Sequence, residues 1–556
     1  MVTWATVAVM AATAFAVSVD GAASPLHAVG LVAIKSPVLA VGALLCAGVC
    51  AWSWRRRTLG LTWFELAVLG YLVAGALSVA MNRPALPFLS PWLALNFTAL
   101  VMVAVGSEAS RQDRAQLLDG LLVVGVVLAA LTIYESAGGF IPWDVGRRPG
   151  ATFGNRNAVG GFCAILIPIA IVRLWTRPTY LRGGALAVLL LSVLLCRARS
   201  AWMGLMVTGA LYFLWQIKRR GPRSDAPRPA RRARLVALGA ILAAVAALQF
   251  TPWIGLQWKE SSPILSSFSR MLESQTGTGR SRVDQHLVGI TMLAERPLIG
   301  LGPGAWRQDA PRFVHQATGY HTGFIDALWT PASDLVRQAV ELGVIGLCAA
   351  ASMLAALLLG ARARIAAADD RVPLALAASL IVAVVISAFD ALLYRPPSLA
   401  LIAVIAGALR NEGKRLSYRV PPCLGMASLG ICGTLCVAAL VPRYLAMQAY
   451  QRSFSAQTVI ALADGQFLPA EALMAVRDAR GKADCTVLHK AASLVDRYLP
   501  YEPENLEVLA ACAVERGHPD EAARLLERAL RVEPHDEAAA RELVRLRTGA
   551  ARPASQ

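Results

Sequence analysis

The sequence predicts an all-α, polytopic membrane protein of about 12 or 13 transmembrane helices, with a long outer loop and a helical-repeat C-terminal domain. Three observations carry that prediction. Hydrophobic residues make up 56% of the 556-residue chain, and a mean hydropathy of +0.52 is too apolar for a water-soluble protein of this length. The charges gather in short clusters between long apolar runs. Those runs approach the roughly 20 residues that a helix needs to cross the hydrocarbon core.

The apolar runs fall at 3–19, 36–54, 60–80, 91–106, 117–135, 158–175, 183–196, 200–217, 234–251, 337–360, 372–392, 395–411 and 423–441. The first lacks the basic leading region of a signal peptide and further spans follow it, so it reads as a retained helix. The net charge of +18 would suggest nucleic acid in a soluble domain. Between membrane spans it reads instead as the excess of Lys and Arg in cytoplasmic loops, and no nucleic-acid partner is expected.

The chain has ten cysteines. Cys46, Cys50, Cys163, Cys196, Cys348, Cys423, Cys432 and Cys436 lie in or beside apolar runs, where cysteine packs as a small hydrophobe. Cys485 and Cys512 stand in the polar tail and could form a disulfide if the tail is exported. No spacing resembles a metal site, and neither a metal nor another cofactor is expected.

Basic residues orient the chain. Arg55 to Arg57, the Lys218–Arg234 linker and the cluster of Arg410, Lys414, Arg415 and Arg419 all fall on one side, which is then cytoplasmic. So do the weaker loops with Arg111 and Arg114, Arg173 to Arg182, and Arg362 to Arg371. The N-terminus is then inside and the tail outside. Arginine nevertheless recurs on the outer side: Arg147, Arg148 and Arg156 in one loop, and Arg197 and Arg199 in a short one. Arg270, Arg280, Arg282, Arg296, Arg307 and Arg312 lie in the longest outer loop, 252–336. A guanidinium fork binds phosphate oxygens in a bidentate way and stays charged at any relevant pH. Lipid anchoring or local ion pairs account for any single arginine. Three loops of them point to an anionic substrate.

Four segments stand out. Arg148-Pro-Gly-Ala-Thr-Phe-Gly-Asn-Arg-Asn157 opens an apolar helix, with Gly150 and Gly154 for tight turns and Asn155 or Asn157 as the cap. Arg197-Ala-Arg-Ser-Ala-Trp-Met-Gly204 makes a turn between two helices, with Trp202 as an interfacial anchor. Gly279-Arg-Ser-Arg-Val-Asp284 starts an amphipathic stretch that ends in the glycine turn Pro297-Leu-Ile-Gly-Leu-Gly-Pro-Gly304. This is no phosphate loop, because no Gly-Lys-Ser/Thr follows. Ala332 to Gly346 then forms the junction where the next membrane helix begins.

In this order the segments resemble the O-antigen ligase and polymerase superfamily, over about residues 90–410. Its pattern is an Arg…Gly-Thr-Phe-Gly-Asn-x-Asn opening, a Ser-Arg-x-Ala-Trp turn, an Arg followed by Pro-Leu-x-Gly-x-Gly, and a junction ending Glu-x-Gly-x-x-Gly. The resemblance implies a helical, metal-independent membrane enzyme. Such an enzyme moves glycan from undecaprenyl diphosphate onto a lipid, glycan or protein acceptor, at the periplasmic face of a bacterial inner membrane. It also implies that Arg148, Arg199 and Arg282, with Arg280 beside them, bind the donor diphosphate. The family's junction often reads His-Asn-Asp, and its histidine is implicated in catalysis. Here those places hold Ala332, Ser333 and Asp334. The base is therefore sought among His321, His315, Asp334 and Asp326, with His321 and Asp334 foremost.

The membrane domain is expected over 1–441 and a soluble helical domain over 442–556. Residues 503–536 fit one tetratricopeptide repeat, with Leu506, Ala510, Gly517, Ala522, Leu526, Ala529 and Pro534 at the expected offsets. Such a tail offers a surface for a protein partner. Two other readings stay open: a transporter or flippase of lipid-linked glycans, though no inverted repeat is visible, and a non-catalytic scaffold for polysaccharide assembly.

Overall fold

The computed structural model describes residues 2–16, 27–54, 62–84, 86–140, 149–218, 277–319, 333–367, 371–410 and 484–548, with a few single positions elsewhere. Among these residues the chain is helical and has no strand. The first helices are α1 (Val2–Phe15), α2 (His27–Trp54), α3 (Trp63–Asn82), α4 (Leu86–Ser136), α5 (Arg156–Thr176), α6 (Tyr180–Cys196) and α7 (Arg199–Lys218). Next come α8 (Gly277–Glu295), α9 (Ala305–Thr318), α10 (Asp334–Ala367), α11 (Val372–Phe389) and α12 (Pro396–Leu409). The tail forms α13 (Cys485–Tyr498), α14 (Pro503–Glu515), α15 (Pro519–Val532) and α16 (Glu537–Thr548).

Each predicted span coincides with one of these helices, except 234–251 and 423–441, which lie outside the described stretches. Six helical segments are long and apolar enough to cross a membrane: 63–82, 92–110, 112–136, 156–176, 334–365 and 372–389. The chain is thus an all-α, multi-pass membrane protein. The predicted turn carrying Arg111 and Arg114 is reduced to a break inside α4 at Asp113 (φ −157°, ψ 92°). The Asp113 carboxylate accepts the Gln116 amide at 2.9 Å and so restarts the helix.

The chain forms two units. One comprises residues 1–71, 94–273 and 348–437. In it α5 packs against α6, α7 and α11. Helices α4 and α12 touch through glycine: a Cβ on Gly407 would lie 2.0 Å from the Val103 carbonyl oxygen, and one on Gly106 2.5 Å from that of Val404. Close backbone approach of this kind suits apolar surroundings, where packing rather than the hydrophobic effect joins helices. At the predicted cytoplasmic end, Arg173 donates to Asp119 at 2.7 Å and Arg182 reaches the same carboxylate at 3.4 Å.

The other unit comprises residues 72–93, 274–347 and 438–556. Its core joins Val288 and Met292 of α8, Trp306, Ala310, Phe313 and Val314 of α9, and Val340 of α10. Trp306 is fully buried there. In the tail each helix packs on the next. Leu506, Ala510, Ala522, Leu526 and Ala529 are buried at their predicted positions, and Gly517 turns the chain at φ 79°. Cys485 and Cys512 are joined in a disulfide that ties α13 to α14. The tail also meets α9: the Arg312 guanidinium pairs with Glu295 and lies 5.6 Å from the Tyr501 ring. His315 and His535 place their rings 5.5 Å apart.

Candidate functional site

In the first unit, the opening segment forms a single 3-10 turn, Ala151–Phe153, between Gly150 and Gly154. Gly154 takes a left-handed φ of 61°, and a Cβ on Gly150 would meet the Gly154 carbonyl carbon at 2.9 Å. Asn155 is the cap, its side chain accepting the Asn157 amide at 2.9 Å. Phe153 sets its ring edge-on to Phe162. Arg148, predicted to bind the donor, lies outside the described residues.

The second motif is part of the same structure. Arg197 ends α6 in the left-handed region at φ 51°, and Arg199, half-buried, starts α7. A Cβ on Gly160 of α5 would lie 2.7 Å from that of Ala198, so this turn rests on the helix that the first motif opens. Trp202 is not an interfacial anchor. It is buried, and its indole N–H donates to the Val193 carbonyl at 3.1 Å.

In the second unit the other two motifs meet. The predicted amphipathic stretch is α8, which buries Asp284, Gln285, Val288 and Met292. Arg280 pairs with Asp284 at 2.9 Å, and Arg282 is half-buried in the same turn. The glycine turn after α8 then binds the junction through backbone. Leu301 N–H donates to Val340 O at 2.8 Å and Gly302 N–H to Glu341 O at 3.1 Å. From the junction, Val344 N–H donates to Pro297 O at 2.9 Å and Ile345 N–H to Leu298 O at 3.2 Å. Gly343 permits the exchange by breaking α10 at φ 66°, ψ −169°, a conformation essentially confined to glycine. Asn82 joins in, donating to Gly300 O at 3.0 Å and accepting from Arg296 at 2.6 Å.

Glu341 is the centre of this arrangement, and sequence reasoning gave it no role. It is buried, and its carboxylate accepts the Gly304 amide at the start of α9 at 3.1 Å. Its charged neighbours are Arg337, Arg307 and Asp334. The signal was present in the Glu-x-Gly spacing, but the partner lay 37 residues away in sequence. Asp334 is fully buried and stands 3.9 Å from Arg337. It does not cap α10, because Ser333 accepts the Val336 amide at 3.2 Å. His321 and Asp326 lie outside the described residues, and His315 faces the tail. Asp309, on α9, is pushed up to about 6 by burial, which the nearby Arg312 only partly offsets.

The four motifs therefore fold as two pairs, one in each unit. Each pair places arginine in or next to a tightly turned, hydrogen-bonded backbone. A family model described as O-antigen ligase matches residues 184–351. The match is less than half of the chain, starting within α6 and ending within α10. It takes in the Arg197–Gly204 turn, α8, the glycine turn and the junction, but not the opening segment. No curated protein matches the chain.

Proposed function

We propose that this protein transfers or polymerises glycan from an undecaprenyl-diphosphate donor at the periplasmic face of a bacterial inner membrane. The observation that carries this reading is that the O-antigen ligase match spans motifs which the structure joins by backbone hydrogen bonds around Glu341. In the reaction an acceptor hydroxyl attacks the anomeric carbon, the bond to the diphosphate breaks, and undecaprenyl diphosphate leaves. The leaving diphosphate gathers negative charge, which fixed positive donors stabilise. Arg148, Arg199, Arg282 and Arg280 are the residues assigned to it. Of these, Arg280 is paired with Asp284 at 2.9 Å.

The hydroxyl proton needs a base, worth typically 10²–10⁴-fold in rate. Full burial of Asp334 and its pairing with Arg337 favour His321 for that role and leave Asp334 to hold Arg337. The disulfide in the tail supports an outer location for it, since structural disulfides persist in oxidising compartments. The N-terminus is then cytoplasmic. The tail, read as a tetratricopeptide-like repeat, remains available to a protein partner.

The test is transfer by purified protein from an undecaprenyl-diphosphate glycan to lipid A core, a peptide or a second lipid-linked glycan, with Arg282→Ala run alongside. Transfer to one acceptor that survives EDTA and is lost in the variant supports the reading and names the acceptor class. Intact protein that binds donor but transfers to none of them refutes it in favour of a flippase or scaffold.

A further inference from the structure

Two charged side chains outside every motif converge on the opening turn. Lys35 and Glu135 are each 2% exposed; Lys35 stands in a shorter apolar helix and Glu135 in one long enough to cross a membrane, surroundings in which ionisable groups are costly. The Lys35 ammonium donates to the carbonyls of Thr13 at 3.3 Å, Ala14 at 2.8 Å and Ala16 at 2.7 Å. Those carbonyls belong to the end of α1, where the helix leaves acceptors unused. Capping α1 is not all that the ammonium does. The Ala14 carbonyl also accepts the Thr152 hydroxyl at 2.6 Å, and the ammonium lies 5.3 Å from the centre of the Phe153 ring. Meanwhile the Glu135 carboxylate accepts the Ala151 amide at 2.8 Å.

Each of the three residues of the turn is thus gripped from outside it: Ala151 by Glu135, Thr152 by the capped end of α1, and Phe153 by Lys35. Ala151 needs such a grip. Its φ of 41° lies in the left-handed region, which costs a residue with a Cβ about 1–3 kcal/mol and persists only where the surroundings over-determine it. We infer that Glu135 and Lys35 are positioning residues that lock the opening turn, so that the backbone from Gly150 to Asn157 keeps one shape for the donor diphosphate. This rests on the proposed function. The two charges do not touch the reacting atoms.

The test uses the full chain in detergent, comparing wild type with Glu135→Ala, Glu135→Gln and Lys35→Met. Glu135→Ala and Lys35→Met should each raise the donor KM about tenfold or more, since each removes at least one charge-assisted hydrogen bond, and leave the acceptor KM unchanged. Glu135→Gln keeps an acceptor oxygen for the Ala151 amide and should restore the donor KM. Amide exchange over Gly150–Gly154, which needs no turnover, should quicken in Glu135→Ala and Lys35→Met and not in Glu135→Gln. A wild type that transfers nothing refutes the proposed function, and the exchange rates then still decide whether the grip exists. Unchanged donor KM and unchanged exchange in Glu135→Ala and Lys35→Met overturn the inference. So do losses that fall equally on both substrates and follow the melting temperature.

Discussion

Replacing Gly343 with alanine tests the junction at its most constrained point. The added Cβ would lie 2.2 Å from the Leu298 carbonyl oxygen and 2.6 Å from the Gly300 amide nitrogen. Both obstacles are backbone, so no side chain can rotate away. The φ of 66° with ψ of −169° adds about 1–3 kcal/mol of strain for any residue with a Cβ. Parting the two segments loses the Val344 and Ile345 hydrogen bonds to Pro297 and Leu298, at about 1 kcal/mol each. The local cost is therefore about 3–5 kcal/mol. Amide exchange over 297–304 should quicken by two orders of magnitude or more, and glycan transfer should fall with it. Gly209, in exposed helix with nothing near its missing Cβ, is the control: Gly209→Ala should be neutral or up to about 1 kcal/mol stabilising. If Gly343→Ala keeps wild-type exchange and transfer, the junction is not held as described, and Glu341 loses its place as the centre of the site.

Three further outcomes follow from the second unit. Opening the Cys485–Cys512 bridge, whose residues are 27 apart, should cost the tail about 3–4 kcal/mol; alkylation before and after reduction, with thermal melting, checks both its presence and its worth. Asp309 has a folded pKa of about 6 against an ordinary 3.8. Its contribution to stability is therefore full below pH 3.8 and lost as pH rises through 6. Melting of Asp309→Asn should match wild type near pH 4 and exceed it by about 3 kcal/mol at pH 7. Trp306→Ala should cost about 3–5 kcal/mol, read as loss of protected amides in α8 and α9.

The parts legible in the sequence were those with a local physical cause. Membrane helices declare themselves by apolar length and the turn after Pro297 by its glycines, whereas the apolar residues that announced α8 include Val283, Leu287 and Ile290, which the fold leaves exposed. What stayed hidden depends on partners far along the chain. Nothing near Gly300 reveals that Glu341 and Val340 will accept its neighbours' hydrogen bonds, because backbone pairing leaves no mark on composition. Gly343 reads as one more motif glycine until its φ is known. Trp202 has the amphipathic character of an interfacial residue, yet its N–H is satisfied by a carbonyl inside the bundle. Lys35 and Glu135 are lone charges in apolar runs, and only the fold brings both to three residues of one turn.

The seam between α9 and the tail has a consequence for how such a chain can diversify. Arg312 with Tyr501 and His315 with His535 bind a loop helix and a carboxy-terminal segment separated by about two hundred positions of sequence. A tail exchanged for that of a relative, while the loop is left alone, would set unmatched rings and charges against α9. Tail and loop are therefore matched surfaces, so that a change in one must be accommodated in the other.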